Sequence, residues 1–108
     1  MIMITEEQIN FLKEVIVETM HPKKVYLFGS YTLGTANENS DLDILIEVKH
    51  SELPKRKRPL ELFKIIAKQT RLNTDILVRT TEEINYFHSL KNSFLTTILD
   101  ESKLIYAA

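Results

Sequence analysis

Hydrophobic positions first recur with a helical rhythm. Ile9, Leu12, Ile16 and Thr19 fall on one face of a segment that starts at Thr5 and runs to about Met20. Its beginning is written in Thr5-Glu6-Glu7-Gln8, where a hydroxyl cap precedes a glutamine by three positions and two acids occupy the first turn. His21-Pro22 ends it, since proline cannot continue a helix. The next run, Lys24-Val25-Tyr26-Leu27-Phe28, is rich in β-forming residues and stops at Gly29-Ser30, which predicts a buried strand. Tyr31 to Gly34 is expected as a short helix or turn, and the small polar residues from Thr35 to Ser40 as an exposed loop.

From Asp41 to Val48 the period is two. Leu42, Ile44, Ile46 and Val48 take one side and Asp41, Asp43, Leu45 and Glu47 the other, the pattern of a central strand. His50 to Pro59 reads as a linker with a basic run, Lys55-Arg56-Lys57-Arg58, between its prolines. Helical spacing returns with Leu60, Phe63, Ile66 and Ala67 up to Thr70, and Thr74-Asp75-Ile76-Leu77-Val78 forms a third strand. Thr81-Glu82-Glu83 opens a last helical region with Ile84, Phe87, Leu90, Phe94 and Ile98 directed inward and a break near His88-Ser89. Lys103 to Tyr106 adds a short edge strand. Such alternation predicts an α/β (α+β) fold, a small mixed β-sheet flanked by helices. The stretch from Ser30 to Asp41 is too short for a full crossover, so the first two strands are expected to pair antiparallel.

Composition narrows the classes. At 108 residues the chain is expected to form a single domain over 1–108, with one core and no second substrate-binding lobe. Lys and Arg number 14 against 15 Asp and Glu, so there is no basic field and no general nucleic-acid binding is expected. The absence of cysteine excludes disulfides and thiolate metal sites. Met1 to Glu7 lacks the basic and apolar regions of a signal peptide, and no run approaches the roughly 18 apolar residues of a membrane span. A cytoplasmic protein without membrane attachment is the expectation.

Candidate chemistry begins with Asp41 and Asp43. Two residues apart on a strand, they project from one face with Cα atoms roughly 6.5 Å apart, so one divalent ion can touch both. Aspartate is depleted in strands, and two side by side repel unless a cation lies between them. Gly29-Ser30, directly after a strand, would let backbone approach a phosphate while the hydroxyl and the following N–H groups bond it. Asp75 lies in an otherwise apolar strand and completes a three-carboxylate cluster if that strand is the neighbour of the Asp41 strand. Each has a plain alternative: incidental surface acids, an ordinary turn, a turn-capping aspartate. Their joint occurrence favours the site. His21, His50 and His88 lack the paired spacing of a zinc site, and the run from Lys55 to Arg58 reads as a solvated loop with a subsidiary potential to attract an acidic partner.

The run Gly29-Ser30-Tyr31-Thr32-Leu33-Gly34, with Ser40-Asp41-Leu42-Asp43 ahead of Ile44-Leu45-Ile46, resembles the signature of the DNA polymerase beta-like nucleotidyltransferase superfamily. More narrowly it resembles the minimal nucleotidyltransferases, or MNT proteins, and with Asp75 on a later strand the likeness covers most of the chain. The resemblance implies that Gly29, Ser30 and Ser40 bind the nucleotide, and that Asp41, Asp43 and Asp75 are catalytic and hold Mg²⁺, two ions in all. Asp75 would also act as base toward an acceptor hydroxyl. It further implies AMP transfer from ATP to a hydroxyl of a partner protein, and pairing as antitoxin with a helical HEPN-type toxin. Leu33 stands where family members frequently have arginine. Two other readings stay open: a catalytically silent module that neutralises a partner by contact, and a small-molecule nucleotidyltransferase of the aminoglycoside type.

Overall fold

Thr5 caps the first helix reciprocally: its Oγ1 accepts from the Gln8 backbone N–H at 3.2 Å while Gln8 Oε1 accepts from the Thr5 N–H at 2.9 Å. The helix, α1, spans Glu6–Met20 and closes on His21, whose left-handed backbone (φ 47) lets its N–H reach the Val17 carbonyl. The computed structural model describes residues 4–33, 36, 41–70, 72–90 and 93–108, the side chains of Ser30 and Leu33 excepted.

Strand β1 (Lys24–Phe28) leads through Gly29 into a short helix, α2 (Ser30–Leu33). Strand β2 (Leu42–Val48) then pairs antiparallel with β1, from Lys24 opposite Glu47 to Phe28 opposite Asp43. Helix α3 (Leu60–Gln69) is the crossover that returns the chain so that β3 (Thr74–Thr80) runs parallel to β2. After α4 (Thr81–His88) and α5 (Phe94–Glu101), strand β4 (Lys103–Ala107) closes antiparallel on the free side of β1. The order β3-β2-β1-β4 is the mixed sheet expected from the pattern.

Both faces of the sheet are covered. Leu42, Ile44, Ile46 and Val48, with Ile76, Val78, Val25 and Leu27, pack against Leu12 and Ile16 of α1 and Leu62 and Ile66 of α3. On the opposite face Leu45, Leu77, Tyr26 and Phe28 meet Ile84 and Phe87 of α4 and Leu95 and Ile98 of α5. The arrangement is therefore three-layered, and β2 is buried along its whole length except at Asp43.

Two expectations change. The linker contains a 3₁₀ turn at Lys55–Lys57, and only the first three residues of its basic run are solvated. Arg58 turns inward, its side chain 8% exposed, bonding Glu83 and the Val78 carbonyl. Leu90 and Phe94, expected inward, are 41% and 74% exposed: Leu90 lies past the end of α4 at His88, and Phe94 is the first residue of α5, capped by Ser93. Among the described residues no helix is long and apolar enough to cross a membrane.

The Arg58–Glu83 pair supplies a stability prediction. Burial alone would raise the Glu83 carboxyl, but the Arg58 bond, the Thr80 N–H and the charges of Arg58 and Lys55 outweigh it and pull it from 4.5 to about 2. A depressed carboxylate stabilises the fold above its unfolded value and loses that contribution as pH falls toward its folded value. With solvent screening of this partly exposed carboxylate, the contribution at neutral pH is about 1 kcal/mol. Glu83→Gln keeps a capping side chain and loses the charge, so denaturant titrations should show a gap from wild type at pH 7 that closes between 4.5 and about 2. A gap independent of pH would mean that the ion pair adds nothing.

Candidate active site

The parallel register of β2 and β3 sets Asp43 directly opposite Asp75. Neighbouring strands lie about 4.8 Å apart, so the two carboxylates stand side by side at one end of the sheet. Alternation places both on the α4/α5 side, since Leu45 and Leu77, two residues further along each strand, belong to that core. Asp41 immediately precedes β2 and is exposed, as is Asp75, whereas Asp43 is half-buried. A bond from the Leu42 N–H to the Asn73 carbonyl, 2.9 Å, clips the starts of the two acidic strands together.

On the other flank Phe28 is the β1 partner of Asp43, which brings Gly29 against the same carboxylate. Gly29 adopts φ +78, and a Cβ there would lie 2.0 Å from Asp43 Oδ2. Only glycine serves both conditions: the left-handed turn from β1 into α2, and the close approach of an aspartate side chain. The Gly29 carbonyl accepts from the Thr32 N–H at 3.0 Å, which starts the turn of α2.

The electrostatics are those of crowded acids. Burial raises the Asp43 carboxyl above its ordinary 3.8, and the charges of Asp75 and Asp41 raise it further. A hard divalent cation would relieve that repulsion, and all three donors are the carboxylate oxygens that Mg²⁺ takes, typically one or two per ion with phosphates completing the shell. The donor set therefore fits the metal. Among the described residues no three acidic, histidine or cysteine side chains form a ready-made cage for one ion.

Of the residues singled out from sequence, Asp41, Asp43, Asp75 and Gly29 gather at this end of the sheet. Ser30 begins α2 beside them, with its side chain outside the described set. Ser40 and Gly34 lie outside the described residues altogether, as does the side chain of Leu33. The histidines take no part: His21 caps α1, His50 sits 4.0 Å from Glu52 on the surface, and His88 ends α4. Sequence reasoning assigned Gly29 to a phosphate and missed its packing on Asp43. That contact depends on the β1–β2 register, and glycine after a strand was its only trace.

By fold the chain is a nucleotidyltransferase. It superposes on the crystal structure of a candidate nucleotidyltransferase from Sulfolobus solfataricus with a TM-score of 0.56 and 25% identity, covering 94% of this chain and 85% of that one. A nucleotidyltransferase domain model matches residues 7–105, and the chain belongs to that family. Among its relatives is protein adenylyltransferase MntA of Thermococcus cleftensis, 30% identical over 105 residues that cover 94% of this chain and 96% of the relative. A Methanocaldococcus jannaschii protein named as a candidate protein adenylyltransferase is 39% identical over 75 residues, 69% of this chain and 70% of its own length.

Proposed function

We propose that residues 1–108 act as one Mg²⁺-dependent nucleotidyltransferase domain that moves AMP from ATP to a hydroxyl of a partner protein. The observation that carries this reading is Asp43 held opposite Asp75 in parallel register, with Gly29 closed against the Asp43 carboxylate. Asp41, Asp43 and Asp75 would hold two Mg²⁺ ions, which when bound supply charge stabilisation at the α-phosphate and the leaving group. Gly29, Ser30 and Ser40 would receive the nucleotide. The acceptor oxygen attacks the α-phosphorus, the bond to the β-phosphate breaks, pyrophosphate leaves, and the hydroxyl proton passes to the exposed Asp75 carboxylate.

A protein acceptor is supported by relatives named as protein adenylyltransferases, one of them matched over 96% of its own length. The resemblance to MNT proteins points to a helical HEPN-type toxin as that partner, with this chain as its antitoxin in the cytoplasm. An added AMP brings bulk and negative charge, enough to block a partner's active site. Incubation with the product of a neighbouring toxin-like gene, labelled ATP and Mg²⁺ should label that product. Full inhibition of the partner without ATP, unchanged in an Asp41→Asn/Asp43→Asn variant, would instead establish a silent binding module. Label appearing on an aminoglycoside and not on protein would establish small-molecule transfer.

Asp75→Asn separates binding from chemistry. ATP should still bind within about threefold of wild type through the Gly29 turn, Asp41 and Asp43, while transfer falls roughly 10²-fold or more, the pattern of a group needed in the transition state. Calorimetry and single-turnover labelling measure the two separately. Transfer at the wild-type rate would reduce Asp75 to a structural residue.

A further inference from the structure

On the face of the sheet covered by α4 and α5, a cavity of about 200 Å³ lies between β3 and residues of those two helices. Leu77, Phe87, Leu90, Phe94 and Leu95 form its apolar wall. Leu77 follows Asp75 by two positions on the same side of β3, so the wall begins roughly 6.6 Å from the Asp75 Cα. The apolar surface continues outside: Phe94 is 74% exposed at the mouth, and Tyr86, 62% exposed, packs edge-on against Phe87 at 5.3 Å. Exposed aromatics rimming an apolar cavity mark an interaction surface.

The rim is cationic. Lys55 Nζ lies 5.0 Å over the Phe87 ring, and Arg79 lines the cavity from the β3 side. Arg79 Nη1 donates to the Val78 carbonyl at 2.9 Å, but among the described residues no carboxylate comes within 4.0 Å of its guanidinium. Burial holds that guanidinium below its ordinary value against the opposing charge of Glu83, which already stands 4.0 Å from Lys55 Nζ, so Arg79 is the rim cation whose fork is open to a direct carboxylate bond. Arg56 and Lys57 extend the positive edge along the adjoining 3₁₀ turn.

We propose that this α4–α5 cavity is the docking site for the protein that bears the acceptor hydroxyl, receiving one apolar or aromatic side chain from an acidic segment. The inference rests on the nucleotidyl-transfer reading and names where its acceptor binds. An apolar cavity of about 150 Å³ accepts a benzene ring, so this one has room for one large side chain. Phe94 and Tyr86 leave aromatic surface exposed outside the cavity itself, which favours a polypeptide. Arg79, with Arg56 and Lys57 on the adjoining turn, selects carboxylates flanking the inserted side chain, and Leu77, two residues from Asp75 on the same side of β3, puts the docked segment on the strand that carries that aspartate.

The test is a methyl NMR titration of the full chain with a blocked peptide whose central Leu-Tyr is flanked by glutamates. Two controls carry lysine flanks or an Ala-Ala centre. Saturable shifts are expected at the Leu77, Leu90 and Leu95 methyls, with at least tenfold weaker binding of both controls. Phe94→Asp should abolish the shifts without harming the fold, because Phe94 is largely exposed at the first turn of α5, where an acid is favourable. Equal binding of the lysine-flanked peptide, or shifts scattered over the surface, would overturn the proposal. So would Mg·ATP perturbing the same methyls in competition with the peptide, which would make the cavity a base site. Peptide binding is scored without nucleotide, and Mg·ATP binding to Phe94→Asp is measured separately. In Phe94→Asp, lost peptide binding with Mg·ATP binding intact is the expected result. A wild-type chain that binds Mg·ATP but not the peptide would overturn the docking site alone, whereas absent Mg·ATP binding in wild type would overturn the nucleotidyl-transfer reading.

Discussion

Asp43→Asn should reduce nucleotidyl transfer by about 10³-fold or more, since a lost metal ligand removes several kcal/mol of transition-state stabilisation. The same substitution should leave thermal stability unchanged or raised. The ionised Asp43 carboxylate is half-buried and faces the charges of Asp75 and Asp41, so in the metal-free protein its charge opposes folding at neutral pH. An amide of the same shape removes that repulsion. Activity and stability thus move in opposite directions, as expected where function maintains a locally unfavourable cluster. The check is a melting curve in EDTA beside the initial rate of AMP labelling. A lower melting temperature together with lost activity would mean that Asp43 serves the fold, not the reaction.

Gly29→Ala should be nearly as damaging, by a different route. The new methyl would lie 2.0 Å from Asp43 Oδ2 and 3.0 Å from its Cγ, at a backbone φ of +78. Either the carboxylate rotates away or the end of β1 moves. The left-handed conformation costs a non-glycine residue about 1–2 kcal/mol, and displacement of a ligand by an ångström costs roughly 10²-fold in rate. The expected outcome is a modestly lowered melting temperature and a transfer rate down at least a hundredfold. A wild-type rate would show that the position of Oδ2 is immaterial to the reaction.

Much of this architecture was legible because local chemistry and global fold agree. The box of Thr5 and Gln8, the proline after His21 and the strict alternation from Leu42 to Val48 each specify one outcome, and the structure realises them. Asp43 and Asp75 were recognisable as acids misplaced in apolar strands. Their adjacency was not, because the pairing of β2 with β3 lies in the sheet register. The same limit hid the closure of Gly29 on Asp43. Periodicity misled at Leu90 and Phe94: the inward stripe was extended past His88, where α4 ends, to Phe94, where α5 begins, and both residues lie at the surface. Arg58 was unreadable as a buried cation while its partner Glu83 lay 25 positions away. Short-range pattern reports which face of an element is apolar, and long-range pairing decides what that face meets.

The most direct measurement is calorimetric titration of the isolated chain with ATP, in Mg²⁺ and again in EDTA. If the Asp41, Asp43 and Asp75 platform works through metal, ATP should bind at least tenfold more tightly with Mg²⁺, and the difference should vanish in the Asp41→Asn/Asp43→Asn variant. Equal affinity in Mg²⁺ and in EDTA would contradict a metal-dependent nucleotidyltransferase site.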